Sequence, residues 1–380
     1  MVDPLPDRPR KGRGAIGNPT GRFEPRTRQL IDDGWAEGSW AEGWADGGWA
    51  DGWADGGRDA ATAPALATEV GIDSSRTVIA HNASPDVPFD RSINPYRGCE
   101  HGCVYCFARP GHAYLGLSPG LDFETRIFAK PEAAKRLSAE LAKPSYAPEV
   151  IALGTNTDPY QPVEKRLGIT RSILEVLAAA RHPVAIVTKS NLVLRDLDIL
   201  APMAEAKLAR VLVSVTTLDP TLARKMEPRA ARPTLRLETI RRLADAGVPT
   251  GVLAAPMIPA LNDDELEAIL EAAALAGGAS ANYILLRLPL EVKALFIAWL
   301  EAHFPDRKKR VLALLRETHG GKLYDPAFGK RIKGEGVYAQ LLARRFELAR
   351  KRLGLDGPEW DLDTSQFEKP RPHGDQLALF

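Results

Sequence analysis

Between residues 90 and 290 the chain alternates short apolar, β-branched runs with longer amphipathic stretches. No other feature limits its fold as much. The runs lie at Ser92–Asn94, Val150–Leu153, Val184–Val187, Val211–Val215, Gly251–Ala254 and Tyr283–Leu286. Between them, apolar residues recur at helical spacing over Pro131–Ala142, Arg171–Ala180, Arg195–Ala204, Thr234–Ala246 and Asp263–Ala276. Proline opens the first of these at a helix position where no backbone donor is needed. Strands separated by helices of this length pair in parallel, with the helices packed outside them. The predicted fold is therefore α/β, a partial (β/α)6 barrel of TIM-like type over residues 76–290. Its chemistry is expected at the C-terminal ends of the strands. Six units rather than eight predict an open barrel.

Outside that region the texture changes. Residues 1–30 hold seven Lys and Arg against three acids, followed by the degenerate repeat GWAEGSWAEGWADGGWADGWADGG. Trp35, Trp40, Trp44, Trp49 and Trp53 stand there among Gly, Ala, Asp and Glu, with no aliphatic residues to build a core. Glycine at this density disfavours helix and strand alike, so residues 1–75 are expected to be a disordered, low-complexity tail. The aromatics could anchor a partner, or the segment could be a drifting repeat. After residue 290 the chain reads as a basic helical extension, residues 291–355, with 14 Lys and Arg against 5 acids between Phe304 and Arg352. A flexible tail, 356–380, follows. Over the whole chain 50 Lys and Arg nearly cancel 49 Asp and Glu, which excludes a histone-like protein but says nothing of local patches. No run of eighteen apolar residues occurs, so no membrane partner is expected, and Met1 to Arg28 lacks the apolar core of a secretory signal.

The chain has three cysteines, and all lie in one eight-residue window: Cys99, Cys103 and Cys106. An odd, sparse set excludes a disulfide framework. Thiolates are the usual ligands of iron–sulfur clusters, and a four-iron cluster normally takes four. Three would leave one iron chemically open, as in catalytic rather than closed metal sites. The C-x3-C-x2-C spacing lets one loop wrap three corners of a cube, with Gly98 and Gly102 giving it room to curl. The competing reading is zinc, with His101 or His112 as fourth ligand, although no second ligand pair accompanies the first.

Gly98-Cys99-Glu100-His101-Gly102-Cys103-Val104-Tyr105-Cys106, following a first strand, resembles the signature of the radical S-adenosylmethionine (SAM) superfamily. Within it the chain is similar to the branch of spore photoproduct lyases and DNA-repair-photolyase-related proteins, over roughly residues 75 to 345. The further matching stretches are Asn94–Cys99, Thr157–Glu164, Thr188–Ser190, Val213–Thr216, Glu227–Arg229 and Pro256–Asp263. The resemblance implies a 4Fe-4S cluster on Cys99, Cys103 and Cys106. It also implies SAM bound at the open iron and cleaved to a 5′-deoxyadenosyl radical, and a one-electron donor of flavodoxin or ferredoxin type. Tyr105 would border the adenosyl group, Thr157 and Asp158 the methionyl end, and Lys189 and Ser214 the carboxylate and ribose. Those positions also end or follow apolar strands, where a barrel carries its working residues, and a lysine suits a carboxylate. Asp158 and Glu164 read equally as a helix cap and a solvated face.

Two departures from the branch bear on substrate. Spore photoproduct lyases carry a hydrogen-donating cysteine two residues before the Ser or Thr of the second-strand motif, where this chain has Thr155. They also carry a tyrosine directly after the third cluster cysteine, where this chain has Phe107. Photoproduct repair is therefore not expected. Tyr160 and Tyr283 could serve another relay or simply pack. The basic stretch 307–352 could track a phosphate backbone of DNA or RNA. It could equally be the solvated face of helices whose apolar stripe is Leu342, Phe346, Ala349 and Leu353. Gln376-Leu377-Ala378-Leu379-Phe380 resembles the pentapeptide by which bacterial repair proteins bind the sliding clamp, and the prolines before it favour an extended approach. The leading expectation is a cytoplasmic radical SAM enzyme acting on nucleic acid. A peptide- or metabolite-modifying radical SAM enzyme and a non-catalytic iron–sulfur or zinc protein are the alternatives.

Overall fold

The computed structural model describes residues 7–27, 66–357 and 361–370. Its frame is a seven-stranded, mostly parallel sheet. In chain order the strands of the molecule are β1 (Glu69–Ile72), β2 (Ile79–His81), β3 (Arg91–Ile93), β4 (Tyr96–Arg97), β5 (Arg126–Ala129) and β6 (Ile151–Leu153). They continue with β7 (Val184–Thr188), β8 (Ala209–Ser214), β9 (Thr250–Met257) and β10 (Ser280–Leu285). The large sheet runs β10-β9-β8-β7-β6-β3-β2, with only β2 antiparallel. Each of the six parallel strands overlaps one of the six predicted runs, with bounds shifted by up to three residues. Both faces of most are buried, which is why they read as continuous apolar runs rather than alternating ones.

Helices return the chain between strands: α2 (Ala133–Leu141), after the single turn α1 (Asp122–Thr125), then α3 (Glu164–Leu167) and α4 (Ile169–Ala179). Next come α5 (Leu197–Glu205), α6 (Pro220–Met226), α7 (Pro233–Asp245) and α8 (Leu266–Leu275). Leu137, Leu141, Ile173, Leu174, Leu177, Ile240 and Leu270 from these helices are buried in one core with the strand residues Ile151, Ile186, Val213 and Val252. α9 (Val292–His303) and α10 (Pro305–Glu317) build a second core around Phe296 and Trp299. α11 (Gly336–Arg352) lays Leu342, Phe346 and Ala349 on the main core.

The sheet is curled. A flat seven-stranded sheet holds its edge strands about 29 Å apart. Here consecutive residues of one loop reach both edges. The Ile332 carbonyl accepts from the Leu285 amide on β10 at 2.9 Å, while Arg331 pairs with Asp86 of the β2–β3 loop at 2.5 Å.

Three expectations need correction. The N-terminal tail does not extend to residue 75: residues 7–27 pack on the cysteine loop, and β1 pairs in parallel with β5 in a small sheet β1-β5-β4. Backbone hydrogen bonds to a distant strand order β1, and short-range composition carries no sign of them. The C-terminal tail is likewise held at 361–370, where Phe367 packs against Tyr146 and His182. Glu164 is fully buried, not a solvated face: Tyr96 donates to it, Arg195 pairs with it at 2.9 Å, and the Thr170 amide donates at 3.1 Å. The tryptophan repeat and Gln376–Phe380 lie outside the described residues.

Candidate active site

The three cysteines sit on the loop after β4, over the C-terminal ends of the parallel strands. With them one cleft is lined by Tyr105, Thr157, Asp158, Lys189 and Ser214, so every residue expected to bind cofactor shares the cysteines' cavity. Each comes from a strand end: Thr157 and Asp158 follow β6, Lys189 follows β7, and Ser214 ends β8. Val187, Leu253, Ala255, Ile284, Leu285 and Leu286 make the remaining wall apolar.

The cysteine loop is held from beneath by Arg109, which is fully buried. Its guanidinium donates to the carbonyls of Cys103 and Gly120 at 2.9 Å, Pro119 at 3.1 Å and Gly102 at 3.3 Å, and it pairs with Glu124 at 2.5 Å. Glu124 in turn accepts from the amides of Gly14 at 3.0 Å and Ala15 at 2.8 Å. Gly102 turns the loop at φ 69°, a left-handed conformation that glycine takes without strain. Sequence reasoning missed both Arg109 and Glu124. A buried Arg–Glu pair fifteen residues apart has no signature separable from surface charge.

Asp158 is largely shielded from solvent and still held below the usual carboxylate range. Burial opposes its charge, but His101, the Lys189 amide and the Thr188 hydroxyl, the last two each at 2.7 Å, outweigh that penalty. His101 Nδ1 lies 3.4 Å from the same carboxylate, so Asp158 ties the loop after β6 to the cysteine loop. The Thr157 hydroxyl donates to the Tyr96 carbonyl at 3.0 Å. The Lys189 ammonium crosses toward β8: it donates to Ser214 Oγ at 2.6 Å and lies 3.2 Å from Glu227 Oε1. Glu227 is a buried hub that pairs with Arg236 and accepts from Tyr105 and from Thr216 at 2.6 Å. Burial disfavours its charge, yet Arg236 and Lys189 hold it well below the usual range.

These residues fit an iron–sulfur group better than zinc. His112 Nε2 contacts the Arg126 carbonyl at 2.9 Å and His101 faces Asp158, so neither histidine joins the thiols. Among the described residues no three His, Cys, Asp or Glu side chains converge on a single ion. Burial, then Glu227, pushes the Cys103 thiol up to about 12, and burial raises Cys99 and Cys106 as well. Such a pocket becomes thiolate only when a group bringing positive charge occupies it.

Tyr160 and Tyr283 do not line the cleft. Tyr160 is core, and Tyr283 packs on Phe346 with ring centroids 4.7 Å apart. No residue of 304–352 lines it either. Much of that stretch is paired in place, as in Arg345–Glu267 at 2.6 Å and Lys308–Glu301 at 3.0 Å.

Residues 93–273 match the model of the radical SAM superfamily, and the chain belongs to it. Its cofactors are accordingly SAM and, by family, a 4Fe-4S cluster. An uncharacterized protein of Mycobacterium tuberculosis is 37% identical over 249 residues, 65% of this chain and 72% of its own. One of Methanocaldococcus jannaschii is 27% identical over 173 residues, 46% of this chain and 62% of its own. Among solved structures, a spore photoproduct lyase variant superposes with TM-score 0.54 at 17% identity, covering 75% of this chain and 79% of its own. Another variant of that lyase, with bound AdoMet and dinucleoside spore photoproduct, gives the same TM-score at 16% identity, covering 76% of this chain and 79% of its own. At that identity the likeness is one of fold.

Proposed function

We propose that this protein is a radical SAM enzyme that modifies or repairs nucleic acid, with Cys99, Cys103 and Cys106 as its cluster ligands. The observation that carries the reading is the convergence of three thiols from one loop with Asp158, Lys189 and Ser214 at the C-terminal ends of a curled parallel sheet. In this reading the six parallel strands are a partial barrel. When bound, the cluster supplies the electron that cleaves SAM to a 5′-deoxyadenosyl radical.

The chain's own residues bind and orient. Lys189, pinned by Ser214 and Glu227, gives the methionyl carboxylate a fixed counter-charge. Ser214 stands beside it at the ribose. Thr157 and Asp158 act by holding the backbone after β6 against the cysteine loop, since their side chains are committed to Tyr96, Thr188 and Lys189. Tyr105, fixed by Glu227, borders the adenosyl group. The apolar wall from Val187 to Leu286 excludes water that would quench a radical. Thr155 and Phe107 both line the cleft and neither offers a thiol or phenol, which argues against repair of the spore photoproduct.

Nucleic acid is favoured by the dinucleoside bound in the lyase of like fold and by the clamp-like Gln376–Phe380. Oxygen-labile chemistry favours a reducing compartment such as the cytoplasm, and the reaction needs a one-electron donor of flavodoxin or ferredoxin type. The test is anaerobic: reconstitute with iron and sulfide, reduce, add SAM and measure 5′-deoxyadenosine against Cys103→Ala. Product from the wild type alone is expected, and zinc in place of iron with no product overturns the reading. For the clamp, deleting residues 376–380 should abolish clamp binding, and unchanged affinity removes that partner.

A further inference from the structure

We infer that Arg287 and Phe107 form a nucleic-acid subsite at the mouth of the cleft, the guanidinium for a phosphate and the ring for a stacked base. The inference rests on the radical SAM reading and names how the same cleft holds its substrate.

Arg287 stands just beyond the end of β10 and lines the cleft together with the cysteines. Its guanidinium carbon lies 4.1 Å from the centroid of the Phe107 ring. Among the described residues this half-buried arginine makes no hydrogen bond and no ion pair. The carboxylate nearest in effect, Asp86, is already taken by Arg331 and by the Gly329 amide at 2.6 Å. A charge drawn from water without a partner is destabilising, so such a site is made good when a ligand brings the anion. Arginine's planar fork matches a phosphate, and it stacks on aromatic faces while doing so.

Phe107 follows Cys106 and is 38% exposed, a large apolar ring left open at the site. It borders a second cavity of about 400 Å³ that shares Asn156 and Thr157 with the cleft and carries Arg97 and Lys130 on its wall. Those two cations share one carboxylate, Asp73, at 2.6 and 4.0 Å. Three cations thus run from the cleft across an exposed ring into the neighbouring cavity, two of them sharing the Asp73 carboxylate. Alternating cations and aromatic rings is how proteins grip a single strand, with phosphates on the cations and bases stacked on the rings. Chemistry on a base also requires that base out of the duplex. An acidic peptide would use the cations but leave the ring idle.

The test is fluorescence anisotropy of a labelled deoxythymidine oligonucleotide on the cluster-loaded full chain, kept anaerobic and titrated with salt. Wild type should bind with an affinity that falls as salt rises. Arg287→Gln should bind about tenfold more weakly, with the salt slope reduced by about 0.7, the value for one single-strand phosphate. Arg287→Lys should restore the slope but not the full affinity. Phe107→Leu should weaken binding and leave the slope alone. Arg241→Gln, on the outer face of α7, should bind as wild type. Thermal melts of each variant guard against misfolding. The assignment is overturned if Arg287→Gln binds as tightly as wild type with the same slope, if its loss is in SAM affinity instead, or if polyglutamate competes as well as the oligonucleotide. 5′-Deoxyadenosine formed without oligonucleotide is read on the same wild-type preparation. Its presence beside unchanged Arg287→Gln binding sinks only the subsite, while its absence sinks the radical reading.

Discussion

Arg109 shows how much of the cysteine loop's shape depends on a single side chain. One buried guanidinium satisfies four backbone carbonyls and one carboxylate, so the loop curls around a rigid charged centre. Breaking a buried pair leaves the other charge without compensation, at roughly 3–5 kcal/mol. Arg109→Met should therefore lower unfolding free energy by about that much in urea titration and leave the chain unable to take up iron on reconstitution. Lysine should not rescue it, because a point charge cannot reach carbonyls on several sides at once. At this scale the motif was legible and its support was not. Cysteine spacing is a local property, whereas Arg109, Glu124 and Glu227 are identified only by what surrounds them.

The N-terminal segment and the C-terminal segment 361–370 are elements without regular structure, yet both are built in. Gly14 lies so close to the cysteine loop that a Cβ there would stand 1.8 Å from the Gly102 carbonyl oxygen. Gly14→Ala should release the segment, which limited proteolysis would detect as early cleavage between residues 7 and 27, and iron uptake should fall with it. At the opposite end of the sheet, His182 Nδ1 meets the Pro183 carbonyl at 3.0 Å and Nε2 meets the Tyr146 hydroxyl at 2.7 Å, with Phe367 packed on the ring. Burial lowers this histidine to about 4 from an ordinary 6.5. Its folded form thus resists a proton that the unfolded chain accepts. Stability from this group is full above pH about 6.5 and declines as pH falls toward 4, by a total on the order of 3 kcal/mol. His182→Phe should flatten that slope in denaturation curves taken between those values, and an unaltered slope would contradict the assignment.

For the whole molecule, the Asp86–Arg331 clasp ties the two edges of the curled sheet together. Arg331 also donates to Ser84, so the loop between α10 and α11 bridges the two edges of the sheet and stands beside Arg287. Asp86→Ala should free that loop. Protease cleavage between residues 319 and 335 should accelerate, while hydrogen exchange in β6 to β8 stays slow because those strands are paired on both sides. Uniform loss of protection would mean that the clasp holds up the whole fold rather than its edge.

The chain's own order determined the repeating strand–helix period, the six parallel strands and the position of three thiols on one loop, because hydrophobic period and residue spacing act over a few neighbours. It also set Lys189, Asp158 and Ser214 at or just after apolar runs, and those strand ends converge on the cysteines' cleft because the strands of a parallel sheet end on one side. The small sheet β1-β5-β4, the docking of residues 7–27, the burial of Glu164 and the unpaired Arg287 were decided only in three dimensions. Each depends on partners tens to hundreds of residues away. A charged residue reads the same in sequence whether it meets water, a buried carboxylate or nothing, and only tertiary packing chooses among them.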